Sequence, residues 1–240
     1  MKYMGSKNRI ANDILPLMLK DRKEGQYWVE PFVGGANMID KVTGNRIGSD
    51  LNKYLIACLQ SIDDGRIPND KWSESLYNDI KNNKDKYIAS ITGYAGFALS
   101  YGGKWFGGWR RDKIGKRNYV LEAHKNAVKQ QPKLKGIEFA SCSYDELSIP
   151  SNSIIYCDPP YQSTTKYKDD FDHNKFWAWC EQKVKDGHTV FVSEYNAPDN
   201  WKCIWEKEIV SSLTQDTGSK KAIERLFTLG KTNEKDGIRC

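Results

Sequence analysis

Asp158-Pro159-Pro160-Tyr161 is the stretch of this sequence best equipped for chemistry. It follows Ser153-Ile154-Ile155-Tyr156-Cys157, an apolar run of strand type. The acid accepts hydrogen bonds. Neither proline has an amide hydrogen, so their carbonyls are left to accept as well. The tyrosine adds a flat ring. Together these residues form a rigid platform for a planar base whose amino group must become nucleophilic.

Two other stretches carry chemistry. Glu30-Pro31-Phe32-Val33-Gly34-Gly35 follows a short strand-like run, Tyr27 to Glu30, and its glycine pair lets backbone pass close to a nucleotide-like cofactor. Asp50 ends the next strand-like run, Arg46 to Asp50. An acid there either bridges two ribose hydroxyls or caps the following helix. The glycine turn and the acid, one strand apart, favour an adenosine-bearing cofactor. The dinucleotide and triphosphate fingerprints GxGxxG and GxxxxGK[ST] are absent. The third stretch runs from Ser100 to Arg111 and mixes glycines with Tyr101, Lys104, Trp105, Phe106, Trp109, Arg110 and Arg111. Lysine and arginine neutralise phosphates, arginine reads guanine edges, and an aromatic ring can wedge into a base step. The alternative is that Trp105, Phe106 and Trp109 are core residues holding the loop down.

The elements that must position these residues follow from periodicity. Apolar spacing predicts helices over residues 10–19 (with Pro16 inside), 37–42, 52–62, 119–129 and 176–184, and a polar one over 72–91. Strands are expected at 27–30, 46–50, 137–140, 154–157, 189–192, 203–210 and 224–229, followed by a polar tail, 231–240. Strand, glycine turn, helix, strand is how a doubly wound α/β sheet begins. Ligands in such sheets lie beyond the carboxyl ends of the strands, which puts Gly34, Asp50 and Asp158 on one sheet edge. Residues 61–136 lack strand character and read as a mainly helical insertion, leaving 1–60 and 137–240 as the sheet domain.

Composition narrows the partners. With 39% hydrophobic and 28% charged residues, the chain reads as an ordinary globular protein without membrane spans or a secretory signal, expected in the cytoplasm. Six scattered cysteines and three histidines lack metal-ligand spacing, so no metal is expected and the thiols read as buried or incidental. The net charge is +6, but Lys104 to Lys135 holds ten Lys plus Arg against Asp112 and Glu122. That window alone carries the basic excess. A charge run is either a solvated face or a polyanion-binding one.

These motifs, in this order, resemble the Dam-like, alpha-type family of DNA adenine-N6 methyltransferases: Lys2-Tyr3-Met4-Gly5-Ser6-Lys7, Glu30 to Gly35, Asp50-Leu51-Asn52, an insertion, then Asp158 to Tyr161. Tyr3 stands where tryptophan is frequent, and Gly35-Ala36 where Ala-Gly is frequent. The resemblance implies a Rossmann-like doubly wound methyltransferase sheet with a target-recognition insertion at 61–136. It implies that Tyr3, Lys7, Phe32, Gly34, Asp50 and Asp158 bind S-adenosyl-L-methionine, released as S-adenosyl-L-homocysteine. Tyr144 and Asp145 would flank the cofactor adenine. Asp158, Pro159 and Tyr161 would be catalytic, with Tyr167 or Phe171 closing over the base. Lys104, Trp105, Arg110 and Arg111 would meet double-stranded DNA. The expected enzyme is a monomer or weak dimer. It flips adenine out of the duplex and methylates its exocyclic amine by direct displacement. Rival readings are cytosine amine methylation (which more often begins its tetrad with serine), RNA or protein-glutamine methylation, and a catalytically silent DNA-binding module.

Overall fold

The computed structural model describes residues 1–112, 114–161, 171–210 and 221–230. Tyr167, Lys113 of the basic window and the tail 231–240 with Cys240 lie outside them. Seven strands form one mixed sheet: β1 (Trp28–Glu30), β2 (Arg46–Ser49), β3 (Ile137–Ala140), β4 (Ile154–Cys157), β5 (Thr189–Glu194), β6 (Lys202–Val210) and β7 (Lys221–Thr228). Their order is β3-β2-β1-β4-β5-β7-β6. The parallel part followed by an antiparallel end makes this the α/β doubly wound sheet expected from the sequence. The chain divides into two compact units, residues 1–17 with 30–148 and residues 18–29 with 149–240, so that one boundary falls inside β1.

In the first unit β2 pairs in parallel with β3, from Arg46 opposite Ile137 to Ser49 opposite Ala140. The helix expected over 52–62 is α2 (Lys53–Asp63), started by Asn52, whose side chain accepts from the amides of Tyr54 and Leu55. Its apolar face buries Leu55, Leu59 and Ile62. The helix expected over 37–42 does not form. Only a 3-10 turn, Ile39–Lys41, is present. Ala36 is left-handed (φ 56°) and Gly44 starts a turn (φ 77°), and the few residues between cannot repay helix nucleation. The polar helix expected over 72–91 is divided into α3 (Glu74–Asn82), capped by Ser73, and the short α4 (Ala89–Gly93). Asn83 (φ −127°, ψ 44°) breaks the helical path. A π-helical turn, Tyr94–Ala98, follows. The helix expected at 119 runs further than predicted, as α5 (Tyr119–Leu134), capped by Asn118.

Gly93 is where α4 meets α2. A Cβ there would lie 1.9 Å from the Tyr54 carbonyl oxygen, which is backbone and cannot rotate away. Gly93→Ala should therefore cost about 3 kcal/mol. For a chain of this size that lowers Tm by about 6–12 °C. A thermal denaturation curve within 2 °C of wild type would refute the close approach.

In the second unit β4 pairs in parallel with β1 (Trp28 opposite Ile154) and with β5 (Ile155 opposite Val190). A strand flanked on both sides must be apolar throughout, and all four residues of β4 are buried. Helix α6 (His173–Lys185), capped by Asp172, joins β4 to β5 and buries Phe176 and Cys180. The final hairpin, β6 and β7, adds antiparallel strands, with Glu194 of β5 opposite Arg225 of β7. Helix α1 (Ala11–Leu19) keeps Pro16 inside a continuous helix.

Candidate active site

The first unit carries the predicted cofactor residues other than Asp158. After β1, Val33 donates its amide to the Ser49 carbonyl at 2.8 Å, holding the Pro31 to Gly35 turn to the end of β2. Gly34 takes a left-handed conformation (φ 48°), and a Cβ on it would lie 2.7 Å from the Tyr3 ring. Gly103, also left-handed (φ 69°), comes so near the Tyr3 backbone that a Cβ would meet its N and Cα at 2.7 Å. Met4 donates its amide to the Gly103 carbonyl at 3.2 Å. Tyr3 is thus lodged between two glycine turns, its ring 5.4 Å from that of Phe97. Lys7 is buried and donates to the Gly5 carbonyl at 3.3 Å. Phe32 stacks on Tyr144 at 5.4 Å. Asp145 is exposed beside it and accepts from Ser143 at 2.5 Å.

Asp50 is not the cap of α2; Asn52 is. One Asp50 carboxylate oxygen accepts from the Gly34 amide at 3.3 Å and the other from the Asn52 amide at 2.9 Å. Burial pushes its carboxyl above the usual range, and these two amides pull it back. Each carboxylate oxygen takes two hydrogen bonds, so the pair of hydroxyls on a ribose would complete the set. The glycine turn and this acid have the chemistry an adenosine-bearing cofactor would need.

The second unit carries the predicted catalytic residues. Pro159 and Tyr161 are buried, whereas Asp158 and Pro160 are half-buried directly beyond β4. The Tyr161 hydroxyl donates to the Glu224 carboxylate of β7 at 2.7 Å. Its ring meets the Tyr195 ring edge-on at 4.6 Å. Burial, then the charges of Asp158 and Glu224, raise the Tyr161 phenol well above its ordinary pKa, so it stays protonated and remains a donor. Behind β4, Tyr156 shares a 2.8 Å hydrogen bond with Ser193 and stacks on Trp28 at 5.9 Å. Phe171 lies against His173 and Phe176 of α6. Sequence reasoning passed over Glu224. The available signal was an acid beside Arg225 in the strand-type stretch Ala222 to Phe227.

The Ser100 to Arg111 stretch splits by role. Trp105 packs against Tyr54, Phe97 and Phe106 at 5.5, 4.8 and 4.6 Å. A Cβ on Gly96 would strike its ring at 2.2 Å. Tyr77 contacts both Phe106 and Trp109, and its hydroxyl pairs with Ser100 at 2.8 Å. These rings pack on one another, with Phe106 buried and Trp105 and Trp109 half-buried. Arg110 is also buried: it pairs with Glu122 at 3.0 Å and lies 4.2 Å over the Tyr119 ring. Arg117 holds the other Glu122 oxygen at 2.5 Å. Arg111 is exposed and pairs with Glu74, and Lys104 is half-buried.

Comparison with known proteins meets this geometry at its cofactor half. Residues 3–98 match the model of the D12 class N6 adenine-specific DNA methyltransferases. A search of curated proteins finds no match. Among solved structures, one similar chain is SMU.472, a candidate methyltransferase crystallised with SAH. It shares 10% identity with a TM-score of 0.36, over 93% of this chain and 52% of its own. The present chain thus spans about half the length of that protein. The segment with Tyr3, Lys7, Phe32, Gly34 and Asp50 lies inside the match, so it is residues 3–98 that are similar to the D12 class N6 adenine-specific DNA methyltransferases.

Proposed function

We propose that this chain is an S-adenosyl-L-methionine-dependent, site-specific DNA methyltransferase that modifies the exocyclic N6 amine of adenine in double-stranded DNA. The observation that carries the reading is the Asp158-Pro159-Pro160-Tyr161 platform. It leaves a buried parallel strand in a chain whose residues 3–98 match adenine-specific DNA methyltransferases. Tyr3, Lys7, Phe32, Gly34 and Asp50 would hold the cofactor, Asp50 through the ribose hydroxyls. When bound, the cofactor supplies a sulfonium methyl group already activated for displacement.

The target amine is a poor nucleophile because its lone pair is delocalised into the purine ring. Asp158 accepts one of its N–H groups and the Pro159 carbonyl the other, which favours the pyramidal nitrogen of the transition state. Tyr161 stacks against the base. A base within the duplex cannot reach this platform, so adenine must flip out, at a cost of a few kcal/mol of unstacking. In this reading residues 61–136 recognise the target, with 1–60 and 137–240 as catalytic domain. Lys104 and Arg111 meet phosphate, while Trp105 and Arg110 support the loop that carries them. The enzyme would act as a monomer or weak dimer on cytoplasmic DNA.

Sequencing of modified bases in DNA from cells expressing the chain tests the function. N6-methyladenine at one short motif is expected; methylcytosine or unmodified DNA would overturn it. Binding should also weaken steeply with salt. Arg111→Ala removes one phosphate contact and should lower the slope of log K against log salt by about 0.9. An unchanged slope in a titration across salt concentrations would take Arg111 out of the interface.

A further inference from the structure

Resting on the reading above, we propose that Glu224 is the positioning residue of the acceptor platform, acting on the target base through the Tyr161 ring. A tyrosine used for stacking must hold its ring plane while a base arrives. Backbone placement alone leaves rotation about the side-chain bonds. Here the far end of the ring is tied by the 2.7 Å hydrogen bond to Glu224. Its side is braced by the edge-on Tyr195 ring at 4.6 Å.

The brace is itself fixed. Arg225, the residue after Glu224, donates to the Tyr195 carbonyl at 2.5 Å and pairs with Glu206 at 3.1 Å. The Tyr195 amide donates to the buried Glu194 carboxylate. Neighbouring residues of β7 thus secure both the ring that stacks and the ring that braces it. Glu224 is 7% exposed. A carboxylate that deep costs desolvation energy, and an apolar residue would fill this strand position more cheaply. A carboxylate at this position has a physical reason if it aims Tyr161.

The test compares E224L, E224Q, Y161F and the double variant E224L/Y161F, using duplex DNA that contains the motif found by sequencing. Loss of a buried hydrogen bond to a charged group should lower kcat about tenfold, equivalent to about 1.4 kcal/mol, in both E224L and Y161F. DNA retention on a filter should stay near wild type, since the contact acts after binding. The double variant should be no slower than either single one, because both remove the same contact. E224Q keeps an acceptor oxygen and should restore most of the rate lost in E224L. Wild-type kcat in Y161F, or multiplying losses in the double variant, would overturn the proposal. If E224L fails to fold, Y161F and E224Q still decide it: per folded molecule Y161F must be slow in kcat, and E224Q must be faster than Y161F. A wild-type protein without adenine methylation would instead defeat the functional reading, which separates the two failures.

Discussion

Asp158→Ala should lower methyl transfer to DNA by about 100- to 1000-fold or more, the loss expected when a preorganised partner of the developing charge is removed. Asp158 is half-buried directly beyond a fully buried strand, and β4 is held in the sheet by its neighbours β1 and β5. The fold should therefore survive the substitution, and DNA retention should be largely unchanged. Asp158→Asn keeps one acceptor oxygen and should fall between alanine and wild type. Incorporation of labelled methyl groups, measured beside filter retention of the same DNA, reads both quantities. Activity that persists in Asp158→Ala would end the mechanism, because nothing else on the platform replaces the carboxylate.

The second large effect is expected at Asp50. In the proposed cofactor site Asp50→Ala would remove two charge-assisted hydrogen bonds to a ribose, each typically about 1.5–3 kcal/mol, so cofactor affinity should fall by about 100-fold or more. Titration calorimetry with S-adenosyl-L-homocysteine measures it. Stability separates binding from structure here. The folded pKa of Asp50 is raised, so its favourable contribution is complete below the unfolded carboxyl pKa and is lost as pH rises through the folded value. At neutral pH its charge weighs against the fold. Asp50→Asn removes that charge and keeps an oxygen for the Asn52 amide. It should melt no lower than wild type at neutral pH, yet bind the cofactor weakly. An Asn variant with wild-type affinity would remove the carboxylate from the cofactor site. One that loses affinity only as it loses Tm would make Asp50 a prop for the Gly34 turn.

Much of the frame was legible because its signals are local. The β4 residues are buried on both faces, and such a strand must be written as an unbroken apolar run. The α2 face shows as Leu55, Ile56 and Leu59, because helical periodicity repeats within a few residues, whereas Leu51, expected on the same face, precedes the helix and is exposed. The motifs around Gly34, Asp50 and Asp158 were legible for the same reason: each is a residue type fixed by the end of one element. Where local signals competed, reading by pattern failed. The stretch 37–42 has helical spacing, but Ala36 and Gly44 turn the chain on either side before a helix can start.

What only tertiary structure decided is which side chains meet. Asp50 had two roles open in the sequence, and the fold removed the capping one by giving the cap to Asn52, while Asp50 accepts from the Gly34 amide. The aromatic rings beside Arg110 were equally suited to DNA or to a core. Tyr54, Phe97 and the bare surface of Gly96 hold one face of the half-buried Trp105. Glu224 and Tyr161 stand 63 residues apart, and no pattern links them. Their hydrogen bond exists because β7 pairs antiparallel with β5, which pairs parallel with β4. Residue types are written along the chain. Hydrogen-bond partners are set by strand register, which emerges only when distant segments compete for the same buried positions.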